Sequence, residues 1–240
     1  MNLWLQSFKG AARFLAACGV LALFGCGPAW AVCAPDPAAS QSLTVNDVNC
    51  IVRQAVEVSG AQGQSQMTVA VTDRVGNVLA VYRTGAASNV TITSGTGVAG
   101  GLEGVGTTSL GGADVAALAA ISKAVTGAYL SSSGNAFSTR TASFIVQEHF
   151  PPLRPKVVNS PSGPLFGVQF SQLQCGDFVS KGGTLGVGPR ASPLGLSADP
   201  GGFPLYKNGV VVGGIGVIAG ANSTYGLDVD ASPRNLDLDV

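Results

Sequence analysis

Between residues 45 and 58 the apolar side chains Val48, Ile51, Val52, Ala55 and Val58 recur three and four positions apart, the period of an amphipathic helix. Thr44 stands before them as an N-cap, Asp47 completes a capping-box-like pattern, and Ser59-Gly60 marks the end. The period then changes. Met67 to Thr72 is a β-branched, apolar run, Asp73-Arg74-Val75-Gly76-Asn77 has turn chemistry, and Val78 to Arg83 returns as a second strand, so this stretch predicts a β-hairpin. Asp114 opens a second helix with the apolar stripe Leu118, Ile121, Val125 and Tyr129. Its alanines at 116, 117, 119, 120, 124 and 128 are small enough to let another backbone approach closely. Ser131 to Asn135 breaks it, and Ser138 caps a third helix that runs to about His149, before Phe150-Pro151-Pro152. Leu165 to Phe170 reads as a strand. Phe203 to Tyr206 and Val210 to Ile218 read as two more, joined by Lys207-Asn208-Gly209, an Asn-Gly hairpin signal.

The connecting segments are unusual. Residues 84–113 hold nine glycines and no proline, a length that marks either a functional loop or a tolerated insertion. Five prolines make 151–164 a loop, and 180–202 is again rich in Gly and Pro. No repeat and no domain-splitting linker occurs. The element order α, ββ, αα, β, ββ lacks a regular βαβ alternation, so the pattern predicts a single α+β domain, a mainly antiparallel sheet flanked by helices.

The N-terminus changes where this domain is expected to work. Lys9 and Arg13 supply a basic start, Phe14 to Phe24 a short apolar run, and Ala29-Trp30-Ala31 a small-residue cleavage site, with no acidic residue before Asp36. Residues 1–31 therefore read as a signal peptide, 32–42 as a flexible leader and 43–240 as the domain, in a periplasmic or secreted protein. Leu23-Phe24-Gly25-Cys26 weakly resembles a lipobox and leaves open a lipoprotein anchored through Cys26. Cleavage after Ala31 leaves 240 − 31 = 209 residues, and 13 − 2 = 11 basic against 13 acidic side chains. With no basic run and no basic–aromatic interleaving, nucleic acid is excluded as a partner. Charged residues make up 11% of the chain, against a usual quarter, so assembly into a homo-oligomer would relieve a surface poorly covered by charge. In an oxidising compartment Cys33, Cys50 and Cys175 supply one disulfide and one remaining thiol, with the pairing open. No C-x-x-C occurs and there is a single histidine, a pattern that argues against a zinc cluster.

Familiar catalytic motifs are missing. Gly214-Ile215-Gly216-Val217-Ile218-Ala219 has the letters of a dinucleotide-binding loop, but no helix and no further βαβ unit is expected after it. Its glycines read better as strand positions where another backbone packs close. There is no P-loop and no G-x-S-x-G, and carboxylate pairs are sparse.

Three segments in order resemble the GlcG/HbpS family, the haem-binding or "haem-degrading" domain of bacteria. Val69 to Arg83 resembles that family's V-A-V-x-D-x-x-G-N-x-x-x-x-x-R hairpin. Ser122 to Leu130 resembles its K-A-x-T-A-x-x-F helix, with Gly127 where Ala is usual. Gly201 to Leu205 with Gly209 and Val211 to Val217 resembles G-G-x-P-ϕ…G-x-V-ϕ-G-x-I-G-V, where ϕ is apolar. The resemblance implies a profilin- or PAS-like α/β sandwich, homo-oligomers, and a haem-like small ligand. It also implies an acidic C-terminal helix, of which Asn235 to Val240 looks like a truncated first turn. Of the residues in place, Lys123 and Thr126 are expected on a helix face opposite the apolar stripe, either turned toward the ligand or as a solvated Lys and a Thr bonded back to its own helix. Arg83 could meet a propionate or serve as a surface charge. His149 is the candidate iron ligand, or else relieves a helix C-terminus. The expected function is a haem-binding protein; slow haem degradation, and a ligand-free assembly or accessory module, remain the alternatives.

Overall fold

Thr44 starts the first helix as its side chain predicts. In the computed structural model, α1 spans Val45–Ala61. Thr44 Oγ1 accepts from Asp47 N at 3.2 Å, and Asp47 Oδ2 accepts from Thr44 N at 2.8 Å. The helix runs past Ser59-Gly60 and ends at a left-handed Gly63. The structure describes residues 41–93, 106, 114–146, 163–165, 168 and 189–226, all within a unit spanning Pro35–Val240. The expected signal peptide, most of the leader, His149 and the C-terminal turn lie outside the described residues.

Strands β1 (Met67–Asp73) and β2 (Val78–Thr84) form the expected hairpin. Asp73 builds its turn: Oδ1 accepts from Val75 N and Asn77 N, both at 2.9 Å, and Oδ2 accepts from Asn77 Nδ2 at 2.8 Å. A short strand β3 (Asn89–Thr93) follows, then α2 (Val115–Leu130), capped by Asp114, and α3 (Thr139–Val146), capped by Ser138. Strands β4 (Gly202–Lys207) and β5 (Val210–Ala219) meet through Asn208 and Gly209, both left-handed (φ 50° and 77°), as a two-residue hairpin requires. The last described strand is β6 (Asn222–Gly226).

The order in the main sheet is β2-β1-β5-β4, antiparallel throughout. Alternation along the two central strands divides the core. Met67 and Val69 of β1, with Val217 and Ala219 of β5, pack under Ala55, Val52 and Val56 of α1. Ala70 and Ile218 point the other way, onto Ala116, Ala119 and Ala120 of α2 and onto Val90, Ile92 and Tyr225. A sheet covered by a helix on each face is the expected α+β sandwich. It also explains why β1 is an unbroken apolar run: both of its faces are buried. Lys207 at the end of β4 places Nζ 2.8 Å from Asp47 Oδ2, tying the sheet to the cap of α1.

Two expectations change. Leu165–Phe170 is not a strand where it is described. Pro164 and Leu165 lie in a turn, Val168 N donates to Leu165 O at 3.1 Å, and Val168 is helical. With a proline before it and Gly167 inside it, local hydrogen bonding wins over the apolar run. The glycine-rich stretch 84–113 contains β3, and Asn222–Gly226, to which the pattern assigned no element, is β6; the two pair in parallel from Asn89↔Asn222 to Thr93↔Gly226. Cys50 on α1 is disulfide-bonded, and its partner lies outside the described residues, which hold no other cysteine. Among the described residues no helix is long and apolar enough to cross a membrane.

Candidate functional site

The signature helix lies deeper than its pattern predicts. Ala120, Ala124 and Ala128 rest on the glycines of β5, and every residue from Ser122 to Ala128 is buried. Of the stripe expected to cover the sheet, Val125 is buried, but Leu118, Ile121 and Tyr129 are only partly buried. The contact with the sheet is made by the smallest side chains, so Lys123 and Thr126 face the protein interior and not solvent: both are fully buried.

What they meet there is the segment 191–201, which is largely buried without forming a strand or helix. Its backbone polar groups need partners. Leu194 N donates to Ser122 Oγ at 3.0 Å, and Ser197 N donates to Thr126 Oγ1 at 2.8 Å. Thr126 in turn donates to Ser122 O at 2.7 Å, so its hydroxyl is fully engaged. Gly195 O accepts from the Tyr225 hydroxyl at 2.7 Å, and Gly202 N donates to Thr139 Oγ1 at 3.0 Å. Lys123 Nζ lies 3.4 Å from Asp199 Oδ2, both side chains fully buried, and Asp199 Oδ1 accepts from Ser197 Oγ at 2.5 Å. Burial pushes the Tyr225 phenol well above its ordinary range, and the charge of Asp199 adds to the rise. Ser122, Lys123 and Thr126 thus form a docking set for a buried non-regular segment. Arg83 is also engaged: it forms an ion pair with Asp114, the N-cap of α2.

An open space lies at the other end of α2. A cleft of about 420 Å³ is lined by Arg74, Ala128, Tyr129, Ser131, Ser133, Val210 and Val211, among others. The volume lies in the range of small-molecule sites, and the lining mixes apolar residues with Arg74, Tyr129 and the three serines Ser131, Ser132 and Ser133. Its wall is held rigidly. The Tyr129 hydroxyl bonds to Val75 O at 2.9 Å and Arg190 O at 2.6 Å, Arg190 N donates to Val75 O at 2.8 Å, and Arg190 Nε donates to Asn77 Oδ1 at 2.9 Å. Arg74 therefore projects from a turn fixed by Asp73 within and by Tyr129 behind. Sequence reasoning did not single out Arg74; the signal was there, as the variable position between Asp73 and Gly76 of the hairpin motif.

Burial pushes the Tyr129 phenol up to about 12. Both Tyr129 and Tyr225 therefore hold their protons more tightly folded than unfolded, where a phenol titrates near 10. Above about pH 10 the folded chain binds more protons than the unfolded one, so stability should be level below that value and fall as pH rises toward 12. Urea midpoints at about pH 8 and pH 11 measure this; equal midpoints would contradict it.

Among the described residues no group of three His, Cys, Asp or Glu side chains is placed to hold a metal ion. No protein-family model matches the chain, and no curated protein matches it. Among solved structures it is similar to a PduOC:heme complex, with 17% sequence identity and a TM-score of 0.43 over 75% of this chain and 83% of that one. It is also similar to the Klebsiella pneumoniae protein ORFY, family DUF336, with 19% identity and a TM-score of 0.42 over 75% of this chain and 80% of that one.

Proposed function

We propose that this chain is an exported binding protein of the GlcG/HbpS type, working as a homo-oligomer, which takes haem or a similar flat, acidic ligand in the cleft at the C-terminal end of α2. The observation that carries this reading is the lining of that cleft. Val210 and Pro189 offer apolar surface to the edge of a macrocycle, with Ala128 and Val211 almost fully buried behind, and Arg74 offers a guanidinium to a carboxylate. The three segments that resemble the family all reach the cleft: the hairpin through Arg74, the helix through Ala128 and Tyr129, the last strands through Val211. Export is supported by the leader and fits a chain that carries a disulfide at Cys50.

The residues fit the acidic and apolar parts of haem. Tyr129, protonated and bonded to two carbonyls, is not poised to ligate iron. The iron ligand in this reading is His149, the single imidazole of the chain. Haem would supply redox and ligand-binding chemistry; the protein's own part is to bind and orient it. Lys123 and Thr126 serve the frame, and a ligand could reach them only by displacing 191–201.

The test is a haemin titration followed by absorbance, on protein recovered from the periplasmic fraction, where an N-terminal Val32 reports cleavage. Wild type should give a saturating Soret shift. Arg74→Ala should weaken binding about tenfold, equivalent to about 1.4 kcal/mol, the low end for a hydrogen bond to a charged group. His149→Ala should move the Soret band itself. No shift with wild type would leave the ligand-free assembly module, and loss of the band with added reductant and oxygen would favour haem degradation. Wild-type affinity in Arg74→Ala would remove the ligand from this cleft.

A further inference from the structure

The two edges of the main sheet are not alike. On β4 the edge is interrupted by Pro204, which has no N–H to offer, a device that keeps a strand from pairing with another chain. The opposite edge, β2, has no proline. Val78, Leu79, Val81 and Tyr82 are each 42–48% exposed, and these four make up a large share of the exposed large hydrophobics among the described residues. The strand's one charge, Arg83, is already paired with Asp114 of its own chain.

We propose that the outer edge of β2 pairs antiparallel with β2 of a second copy of this chain, about a two-fold axis at Val81, joining two four-stranded sheets into one. This register uses the whole strand. Val81 meets its own symmetry mate, Tyr82 lies opposite Ala80, Leu79 opposite Arg83, and Val78 opposite Thr84. No like charges face each other: the two Arg83 side chains stand four residues apart along the ladder, about 13 Å, beyond the screening length of about 8 Å at physiological salt. An edge strand left open presents a row of unpaired N–H and C=O groups, and a second copy satisfies them while giving the apolar side chains cross-strand neighbours on both faces. Ala120, Ala124 and Ala128 of α2, the other feature that favours close packing, are already used against β5 within the protomer, so they are not available to an interface. The inference rests on the homo-oligomer in the proposed function and names its surface.

The experiment measures mass by light scattering and sedimentation at micromolar concentration, with near-UV circular dichroism to confirm folding. Wild type should contain an even number of copies. Val81→Lys, which sets two ammonium groups against each other on the axis, should halve the mass and leave the spectrum unchanged. Should Val81→Lys fail to fold, hydrogen exchange of wild-type β2 reads the same contact: its amides should gain at least tenfold protection between dilute and concentrated protein. An oligomer whose mass survives Val81→Lys, or whose β2 protection ignores concentration, would overturn the surface and leave the oligomer standing. A monomeric wild type would overturn both, and neither result would touch the haemin titration.

Discussion

Gly216→Ala should lower the melting temperature by about 10 °C, although it adds a single methyl group. Gly216 lies on β5 directly beneath α2. A Cβ built there falls onto the carbonyl oxygen of Ala120, 2.6 Å from Ala124 N and 2.9 Å from Lys123 Cβ. Two of these three are backbone atoms in the middle of a helix, which cannot swing aside as the tip of a long side chain can. The helix must rise off the sheet or the strand must sink. Leu194 and Tyr225, both buried, share one cluster with α2 and the sheet, so rising disrupts their packing as well. Overpacking ordinarily costs about 1–3 kcal/mol, and backbone against backbone belongs at the top of that range. For a domain of this size each kcal/mol is worth about 2–4 °C. Gly60→Ala is the control: it sits near the end of α1 with nothing within 4 Å of the new Cβ, and should be neutral or stabilise by up to about 1 kcal/mol. Calorimetric scans of the two variants beside wild type decide it. If Gly216→Ala melts with wild type, α2 does not rest on β5 as described.

The same contact shows how far the sequence could be read. Elements closed by local chemistry were legible: the Thr44–Asp47 box, the Asp73-to-Asn77 turn, the Asn208-Gly209 hairpin, and the caps at Asp114 and Ser138. Each is decided by residues a few positions apart. The parallel pair β3–β6 was not, because its partners stand 133 positions apart and its strands are made of Asn, Ser and Thr as much as of apolar residues. The glycines Gly214 and Gly216 and the alanines of α2 were each read correctly as places of close backbone approach, but the sequence did not say that they meet each other. The usual rule lays the largest apolar side chains on the sheet. Here the sheet offers glycine, the complementary surface is alanine, and the helix sinks until its polar side chains are interior too.

That sinking is why the candidate ligand face became something else. Once Lys123 and Thr126 are interior, each must be satisfied there, and the irregular segment 191–201 needs donors and acceptors of its own. Nothing in a helical pattern foretells that a Ser, Lys and Thr at 122, 123 and 126 will be matched by a buried loop some 70 residues later. The Arg74 cleft was hidden for the opposite reason: it is bordered by positions that the local patterns treat as turn, helix end and strand start.

The buried pair gives the second large effect. Lys123→Met should destabilise the protein by about 3–5 kcal/mol, because it leaves the Asp199 carboxylate inside the protein without its cation. The side-chain volumes are similar, so little of the loss comes from a cavity. Asp199→Asn leaves Lys123 in the same position, while its amide oxygen can still accept from Ser197 Oγ. Combined, the two changes remove both charges and keep the hydrogen bond. The double variant Lys123→Met/Asp199→Asn should therefore be more stable than Lys123→Met alone, with a coupling energy of about 2 kcal/mol or more between the sites. Urea unfolding of the four proteins in the cycle measures it. A double variant as unstable as the sum of the two single losses would mean that the charges do not interact, and that the 3.4 Å approach is incidental. The rescued variant also bears on the ligand. With the fold restored and the cleft untouched, it should bind haemin as wild type does. Loss of haemin binding in a stable Lys123→Met/Asp199→Asn protein would instead put the ligand at Lys123, and the segment 191–201 would then be the part of the structure that moves to admit it.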